Sequence, residues 1–294
     1  MKPVLIAVLL GLPWVVVDAA PPAGRWQYPP QLDGARVEMY KTVGDTKLNL
    51  YIFAPANPTN APAIVFFFGG GWHGGSPQQF ETHCRHLAQR GMVAITADYR
   101  VKSRQNARPV DGVADARSAI RWVRAHAAPL GVDPNRIAAG GGSAGGHLAA
   151  GTAFIREFDA ADEDKNIPAE PNALVLFNPV LVLAPLAGLN LDKSFGARVP
   201  EERLGTKPEH LSPAHHITRN APPTIIFHGR ADTTVPFATA AAFAAKMKEA
   251  GNRCELVGFE GQSHGFFNRE PFRSRTLAAT EEFLGSLGWI NKEK

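Results

Sequence analysis

The stretch Gly141-Gly142-Ser143-Ala144-Gly145 decides the predicted fold, because it places a serine between small residues directly after an apolar, strand-like run. Such a serine sits on a sharp strand-to-helix turn, and glycines give that turn room where a Cβ would clash. Roughly 0.08 accidental Gly-x-Ser-x-Gly matches are expected in a chain with nine serines and 28 glycines among 294 residues. The pattern therefore predicts a nucleophile elbow rather than a glycine-rich helix start with an uninvolved serine.

Strand-like and helix-like patterns alternate on both sides of the elbow, from about residue 37 onward. Two opening segments, 36–41 and 47–53, predict an edge hairpin, because Gly44 and Asp45 lie between them. Continuous apolar runs predict strands covered on both faces at 63–68, 92–97, 136–139, 173–177 and 224–228, and a last strand is predicted at 254–259. Helices are predicted at 80–90, 111–127, 143–155, 237–251 and 273–287. This alternation predicts an α/β fold with a mostly parallel central sheet and helices on both faces.

Residues 37–294 are predicted to form a single domain, because no linker-like segment divides them. The segment 181–216 has no clear helical or strand period and falls between two predicted core strands. It is interrupted by four prolines, at positions 185, 200, 208 and 213. We expect this segment to form a small cap over the active site.

The first nineteen residues have the features of a secretory signal peptide: Lys2, an apolar stretch from Val4 to Leu12, and small residues before a cut near Ala19. Residues 20–36 are then an N-terminal arm. The apolar segment is short and interrupted by proline, so a stable membrane anchor is not predicted. We expect the product to be secreted or periplasmic.

Composition excludes several other classes of function. The net charge is +4, yet no run of Lys or Arg is interleaved with aromatic residues, so nucleic-acid binding is not predicted. The two cysteines, Cys84 and Cys254, are predicted to be separate buried thiols rather than a disulfide. The acidic stretch 159–164 lacks the alternation and the glycine of a calcium loop and is predicted to be a solvated connection. The sequence does not predict an oligomeric state.

A serine nucleophile requires a histidine base and an acid that orients it, usually in the chain order Ser, acid, His. His264 is the favoured base, because it lies in a short loop after the strand predicted at 254–259. His147 and His228 are predicted to be packed structural residues, and His215 and His216 border the cap. The spacing of His215 and His216 from cysteines and carboxylates suggests no metal site.

The predicted acid is Asp232, which follows the strand predicted at 224–228 and could hold His264 in the required tautomer. Glu260 is the rival carboxylate, because it is four residues from His264. The stretch Phe68-Gly69-Gly70-Gly71-Trp72 could supply the oxyanion donors. The expected donors are the N–H groups of Gly70, Gly71 and Ala144.

With these motifs, residues 37–288 resemble the α/β-hydrolase superfamily, in the branch of hormone-sensitive-lipase-like and polysaccharide-deacylating esterases that carry a His-Gly-Gly-Gly loop. The resemblance rests on five segments: 69–72, 98–100, the elbow, 228–236 and 263–266. It implies a triad of Ser143, Asp232 and His264. Phe68 departs from the pattern, since the family usually has a histidine there, which mainly braces the loop.

The resemblance implies a secreted serine esterase that needs no cofactor and no metal. Trp72, Phe195 and Phe266 are the residues expected to shape the substrate pocket. By analogy with similar secreted enzymes, the expected substrate carries an acetyl, feruloyl or other short acyl group on a polysaccharide. The alternatives are a general short-chain carboxylesterase or lipase, a peptidase of the prolyl-oligopeptidase kind, and a non-catalytic binding protein with a hydrolase fold.

Overall fold

A computed structural model describes residues 26–192 and 194–290 of the chain. The predicted signal peptide, residues 1–19, and the beginning of the predicted N-terminal arm lie outside the described residues. All eight predicted strands are present, and they form one sheet. Among the described helices, none is long and apolar enough to cross a membrane.

The sheet is mixed, with six parallel strands and an antiparallel hairpin at one edge. The strands are β1 Arg36–Val43, β2 Thr46–Phe53, β3 Ala61–Phe67, β4 Val93–Ala97, β5 Val132–Gly142, β6 Ala173–Phe177, β7 Thr224–Gly229 and β8 Cys254–Phe259. Their spatial order is β1-β2-β4-β3-β5-β6-β7-β8, and β2 pairs antiparallel with β4. The predicted edge hairpin and the mostly parallel sheet are confirmed.

Nine α-helical segments lie between or after these strands in the described part of the chain. They are α1 Glu81–Gln89, α2 Lys102–Gln105, α3 Pro109–Ala125, α4 Ala127–Leu130, α5 Ala144–Phe154, α6 Glu201–Leu204, α7 Pro208–Leu211, α8 Phe237–Glu249 and α9 Phe272–Ser286. α3 begins two residues earlier than predicted, because Pro109 suits the first helical position and the Asp111 carboxylate accepts the Arg108 N–H at 2.8 Å.

The two faces of the sheet bury separate apolar clusters, and β3 shows how its sequence divides between them. Ala63, Val65 and Phe67 face the cluster that includes α3, α5 and α8, whereas Ile64 and Phe66 face the cluster that includes α1 and α9. Side chains alternate between the faces of a strand, so a continuous apolar run fills both clusters. The helices therefore cover the sheet on both sides, as predicted.

β5 is longer than predicted at both ends, and its carboxyl end matters for the site. At its start, a register irregularity between Ala61 and Ala63 of β3 accommodates the polar, proline-containing residues that follow Val132. At its end, Gly141 still pairs with Phe67 of β3, so the strand continues to the residue before Ser143. Apolar run length alone could not predict a strand that ends in glycines.

The predicted cap segment, 181–216, contains only short helical turns, and much of it packs on the body of the protein. The Ala214 N–H donates to the Leu181 carbonyl at 3.0 Å, and Leu183 is tied to Ser212 at 3.1 Å. The Leu211 carbonyl lies 2.7 Å from His147 Nε2 on α5. The segment is thus fastened to the helix that follows the elbow.

Candidate active site

Ser143 occupies the turn between β5 and α5 in a backbone conformation that L-residues rarely adopt, with φ 56° and ψ −118°. Its N–H donates to the Phe177 carbonyl at 2.9 Å, which ties the turn to the end of β6. The turn also requires glycine at position 145, because a Cβ there would lie 2.0 Å from the Phe67 carbonyl oxygen. The elbow is therefore formed by close approach of backbone to backbone.

The structure brings Ser143, His264 and Asp232 into one hydrogen-bonded chain. His264 Nε2 lies 2.8 Å from Ser143 Oγ, and His264 Nδ1 lies 2.7 Å from Asp232 Oδ2. The rival Glu260 is remote from this chain, because its side chain is 83% exposed and pairs with Arg230 at 2.6 Å. Serine, histidine and carboxylate arranged in this way are equipped for nucleophilic acyl transfer.

Asp232 is held in its charged form by its surroundings. Its Oδ1 accepts the N–H groups of Thr234 and Val235, each at 2.9 Å. Burial by itself would raise the pKa of Asp232, but the bonds to His228 and His264 and to the Val235 N–H outweigh it and hold that pKa well below its usual range. A fixed carboxylate can therefore orient the His264 ring and stabilise positive charge on it.

His147 and His228 are fully buried, in agreement with their predicted packed roles. Burial lowers the pKa of His147 to about 4. His228 Nε2 lies 2.7 Å from the Val235 carbonyl and 3.4 Å from Asp232 Oδ2. Sequence pattern does not indicate this second histidine at the carboxylate, because position 228 lies inside a strand where only packing is expected.

The predicted oxyanion stretch continues to Gly75, and we call residues 68–75 the oxyanion loop. This loop lies beside Ser143, where a Cβ at Gly69 would be 3.4 Å from the Ser143 Cβ. Gly70 has a φ of +128°, and a Cβ there would lie 2.3 Å from the Gly74 carbonyl oxygen. Its carbonyl accepts the His73 N–H at 3.0 Å, whereas the N–H groups of Gly70 and Gly71 reach no acceptor among the described residues. Two unpaired backbone donors beside the Ser143 side chain suit the binding of a developing oxyanion.

Side chains from other segments hold this loop in place. The Gly69 N–H donates to Gln79 Oε1 at 2.6 Å, and Gln79 in turn donates to Asn268 at 3.2 Å. Phe68, where the resembled family has histidine, stacks on Tyr99 with ring centroids 4.1 Å apart. The Tyr99 hydroxyl donates to the Phe68 carbonyl at 2.8 Å. A stacked aromatic pair thus replaces the histidine as a brace for the loop.

Two arginines complete the bracing. Arg104 Nη1 donates to the Gly75 carbonyl at 2.8 Å, and Arg203 Nη2 donates to the Trp72 carbonyl at 2.7 Å. Arg203 belongs to the predicted cap segment, so that segment contributes directly to the position of the oxyanion loop.

A cavity of about 340 Å³ opens above the Ser143-His264 pair. Its lining consists of Trp26, Gly69, Gly70, Gly71, His73, Gly74, Gly75, Gln79, Ser143, Asn178, Phe195, Thr234, His264, Gly265, Phe267 and Asn268. Glycines and aromatic rings dominate the lining, and Phe195 from the predicted cap segment is among them. The volume is at the small end of the range for ligand pockets in proteins, about 300 to 1,000 Å³.

Trp72 and Phe266, two of the three aromatic residues predicted to shape this pocket, do not line it. Trp72 is 2% exposed and packs between His147 and Phe195, so it supports Phe195 from behind. Phe266 is buried against Phe259, and its neighbour Phe267 lines the cavity instead. The 3₁₀ turn Phe266–Asn268 points successive side chains in different directions, which sequence position alone could not predict.

Several polar residues of the cavity were not among the predicted site residues. Asn178 directly follows β6, and its Oδ1 accepts the Gly265 N–H at 3.2 Å next to His264. Its position at the carboxyl end of a parallel strand was a usable signal, since ligand sites in such folds lie at that edge. Trp26 and Gln79 gave no signal, because their contacts join segments that are distant in sequence.

Other predictions concern residues away from the cavity. Cys84 and Cys254 are free and buried, as predicted. The acidic stretch is solvated only in part: Asp162 and Asp164 are exposed, as expected, whereas Asp159 pairs with Arg117 at 2.6 Å and Glu163 pairs with Arg121. Among residues 26–192 and 194–290, no group of three or more His, Cys, Asp or Glu side chains is arranged to hold a metal ion.

A mostly parallel sheet with a strained serine after β5, a histidine after β8 and a carboxylate after β7 defines an α/β-hydrolase. Comparison with protein families agrees: the BD-FAE family model matches residues 48–247, and the dienelactone hydrolase family model matches residues 205–292. The chain belongs to the BD-FAE family. The resemblance to the α/β-hydrolase superfamily is thereby confirmed.

Individual relatives are ester hydrolases. The probable carboxylic ester hydrolase LipM of Mycobacterium tuberculosis is 30% identical over 239 residues, which are 77% of this chain and 54% of LipM. Esterase LipC of the same organism is 32% identical over 225 residues, 72% of this chain and 54% of LipC. This chain therefore spans about half the length of these two curated relatives.

A solved structure covers the chain more completely. The apo form of Thermogutta terrifontis esterase 2 is 52% identical, with a TM-score of 0.85, and the alignment covers 91% of this chain and 100% of that one. Similarity in both sequence and fold thus extends over nearly all of the described residues.

Proposed function

We propose that this protein is a serine carboxylesterase in which Ser143, His264 and Asp232 form the catalytic triad. The observation that carries this proposal is the unbroken hydrogen-bonded chain from Ser143 Oγ to Asp232 at the base of an open cavity. A non-catalytic binding protein would not need a strained serine aligned with a histidine, since such strain costs stability. The ester hydrolase relatives support the same conclusion.

The geometry leads to a two-step reaction. Ser143 Oγ attacks the ester carbonyl carbon while His264 Nε2 takes its proton, and His264 then gives that proton to the departing alcohol. Water next attacks the acyl-enzyme, with His264 again accepting a proton, and the carboxylic acid leaves as Ser143 recovers its hydrogen. Asp232 stabilises the imidazolium in both steps. The N–H groups of Gly70, Gly71 and Ala144 receive the oxyanion.

For the substrate, we propose an acetyl or other short or aromatic acyl group carried on a carbohydrate. The small cavity favours a compact acyl group. Structures of Thermogutta terrifontis esterase 2 with bound propionate and with bound butyrate support short acyl groups in a similar protein. The same observations favour the second candidate, a general short-chain carboxylesterase whose activity does not depend on the alcohol part of the ester.

Matched carboxylate variants test the proposed triad. Ser143→Ala should abolish turnover and also labelling by an organophosphonate, because no other nucleophile is aligned with His264. Asp232→Asn should lower kcat by about 10⁴-fold, because His264 loses its orienting carboxylate. Glu260→Gln is the control and should retain kcat within about twofold. Equal losses in both carboxylate variants would refute the assignment of Asp232.

Two substrate series separate the candidate functions. Acetate release from acetylated xylan should exceed release from simple alkyl acetates at equal ester concentration if the carbohydrate is recognised. On p-nitrophenyl esters, rates that rise toward long acyl chains would contradict a short-acyl enzyme and favour a lipase. Cleavage of proline-containing peptides would instead indicate a peptidase.

We also propose that the protein is exported, on the evidence of its signal-like residues 1–19. Fractionation of cells that produce the full chain should place the activity in the periplasm or the medium. N-terminal sequencing should then find a start close to Ala20. Activity that remains in the cytoplasm with an intact N-terminus would contradict export.

A further inference from the structure

The N-terminal segment Trp26–Tyr28 reaches the candidate active site although it precedes the first strand of the sheet. Trp26 lines the same cavity as Ser143 and His264. Within residues 26–35, Pro30 and Leu32 are also buried, but neither lines this cavity.

Hydrogen bonds fix the backbone next to this indole. The Gln27 carbonyl accepts a hydrogen bond from Ser76 Oγ at 2.6 Å, and the Gln27 N–H donates to Gln78 Oε1 at 2.9 Å. Ser76 is fully buried and immediately follows the oxyanion loop. The residue after Trp26 is thus held against the same segment that supports Gly69 through Gln79.

A second set of contacts, which we call the Tyr28 latch, consists of Tyr28, Asp98 and Arg104. The Tyr28 hydroxyl donates to Asp98 Oδ2 at 2.7 Å. The Arg104 guanidinium carbon lies 3.6 Å from the centroid of the Tyr28 ring, a cation–π contact. Arg104 also donates to the Gly75 carbonyl, so one side chain joins the arm to the oxyanion loop.

The latch places a carboxylate where burial disfavours its charge. The Asp98 side chain is 3% exposed, and burial raises its pKa to about 6. The proposed reaction makes no use of Asp98, and apolar packing would often be as stable as a buried charge. A positional role explains the group, because hydrogen bonds fix direction where apolar contacts do not.

We propose that Trp26 is a specificity-determining residue that contacts the larger apolar or planar substituent of the ester, and that the Tyr28 latch positions it. This inference rests on the proposed esterase function. A flat indole offers apolar area to a bound group, and it enters the cavity from a different segment than Phe195 does. Trp26 therefore selects among esters by size and shape and takes no part in proton transfer.

The test compares ester preference in Trp26→Ala and the wild type, using full-length protein. The measured quantity is kcat/KM for phenyl acetate and for methyl hexanoate, each divided by kcat/KM for methyl acetate. Because it is a ratio, it does not depend on the fraction of protein that folds. We expect at least one ratio to fall about tenfold, mainly through KM. A fall for phenyl acetate would show that the indole contacts the alcohol part of the ester, and a fall for methyl hexanoate would show that it contacts the acyl group.

Two further variants distinguish a specificity role from a structural one. Trp122→Ala removes a partly buried tryptophan on α3, which stacks on His126 away from the cavity, and should leave both ratios unchanged. Tyr28→Phe should change the same ratio as Trp26→Ala but by less, about threefold. The double variant should equal Trp26→Ala, because the latch acts only through the indole.

Unchanged ratios in Trp26→Ala, or an additive double variant, would overturn the inference. Either result would be obtained with an active enzyme and would leave the esterase proposal intact. A wild-type protein that hydrolyses none of these esters and resists organophosphonate labelling would instead refute the proposed function itself.

Discussion

Two glycine-rich turns meet at the candidate active site, the elbow at 141–145 and the oxyanion loop at 68–75, and they are held in different ways. In the elbow, backbone lies against backbone, and Gly145 leaves no space for a methyl group beside the Phe67 carbonyl. In the loop, Gln79 accepts a backbone N–H, and Tyr99 and two arginines donate to backbone carbonyls, which fixes the chain. Close backbone packing requires glycine in both turns, since a Cβ at Gly70 or Gly75 would also lie 2.3 Å from a backbone carbonyl oxygen. The loop is in addition held by side chains from other segments of the chain.

This difference predicts different failures. Adding atoms to the elbow should disturb folding itself, because neither of the backbone segments in contact can move without disrupting the sheet. Removing a partner from the loop should leave the fold intact and misplace the oxyanion donors. Substitutions in the elbow should therefore lower the free energy of unfolding, and substitutions of the side chains that hold the loop should lower kcat.

The largest effect is expected from Gly145→Ala. Its Cβ would lie 2.0 Å from the Phe67 carbonyl oxygen, so we expect a loss of roughly 4 kcal/mol or more in the free energy of unfolding. Gly151→Ala on the same helix is the matched control, because its Cβ would meet nothing closer than 3.4 Å. The control should be neutral or more stable by up to about 1 kcal/mol, since alanine favours helix. Urea unfolding measures both variants, and similar stabilities would remove the proposed contrast.

The next effect concerns the packing under the elbow. His83 is buried among Phe66, Phe80, Phe177 and Phe267, and neither of its ring nitrogens has a partner among the described residues. Burial lowers the pKa of His83 from 6.5 to about 3. The unfolded chain therefore binds a proton below pH 6.5 that the folded protein does not bind, and stability is lost as the pH falls.

His83→Phe should remove this acid sensitivity. The histidine lowers the free energy of unfolding by about 2 kcal/mol between pH 8 and pH 5, so the variant should be less sensitive to acid by that amount. Urea unfolding at the two pH values provides the measurement. His147 makes a similar contribution in both proteins and cancels in the comparison. Parallel pH dependences in the two proteins would mean that His83 is not buried as a neutral ring.

A smaller effect, confined to catalysis, is expected from Gln79→Met. The variant keeps the side-chain length but removes the acceptor for the Gly69 N–H, so we expect kcat for a short ester to fall about tenfold with little change in Tm. Gln89→Met on the exposed face of α1 is the control and should change neither quantity. A large fall in Tm without a separate fall in kcat would show that the loop, like the elbow, is part of the folding core.

The smallest effect is expected from Arg203→Met, which removes the contact between the predicted cap segment and the Trp72 carbonyl. That carbonyl also accepts the Lys102 N–H at 3.1 Å, so the loop keeps one of its two donors. We expect kcat to fall about threefold. The exposed Arg219→Met serves as the control for removing a positive charge. Equal kcat in the two variants would mean that the cap segment does not position the loop.

The comparison also explains which parts of the site could be predicted. Ser143, Asp232 and His264 follow parallel strands, and the carboxyl ends of such strands meet at one edge of a sheet, so chain order was enough to bring them together. Trp72 and Phe266 were placed in the pocket because they adjoin functional residues. Adjacency did not determine the directions of their side chains, which tertiary packing turned away from the cavity.

The sequence by itself determined the alternation of strands and helices, the two separate cysteines, the position of the elbow and the three residues of the proposed triad. These features depend on local pattern, on glycine sterics and on the edge rule for parallel strands. Only the tertiary structure decided which side chains brace the oxyanion loop, that Phe267 rather than Phe266 lines the cavity, and that Trp26 reaches it. Most of these contacts join segments far apart in the chain, and the direction of a side chain across such a distance is set by packing that no local pattern encodes.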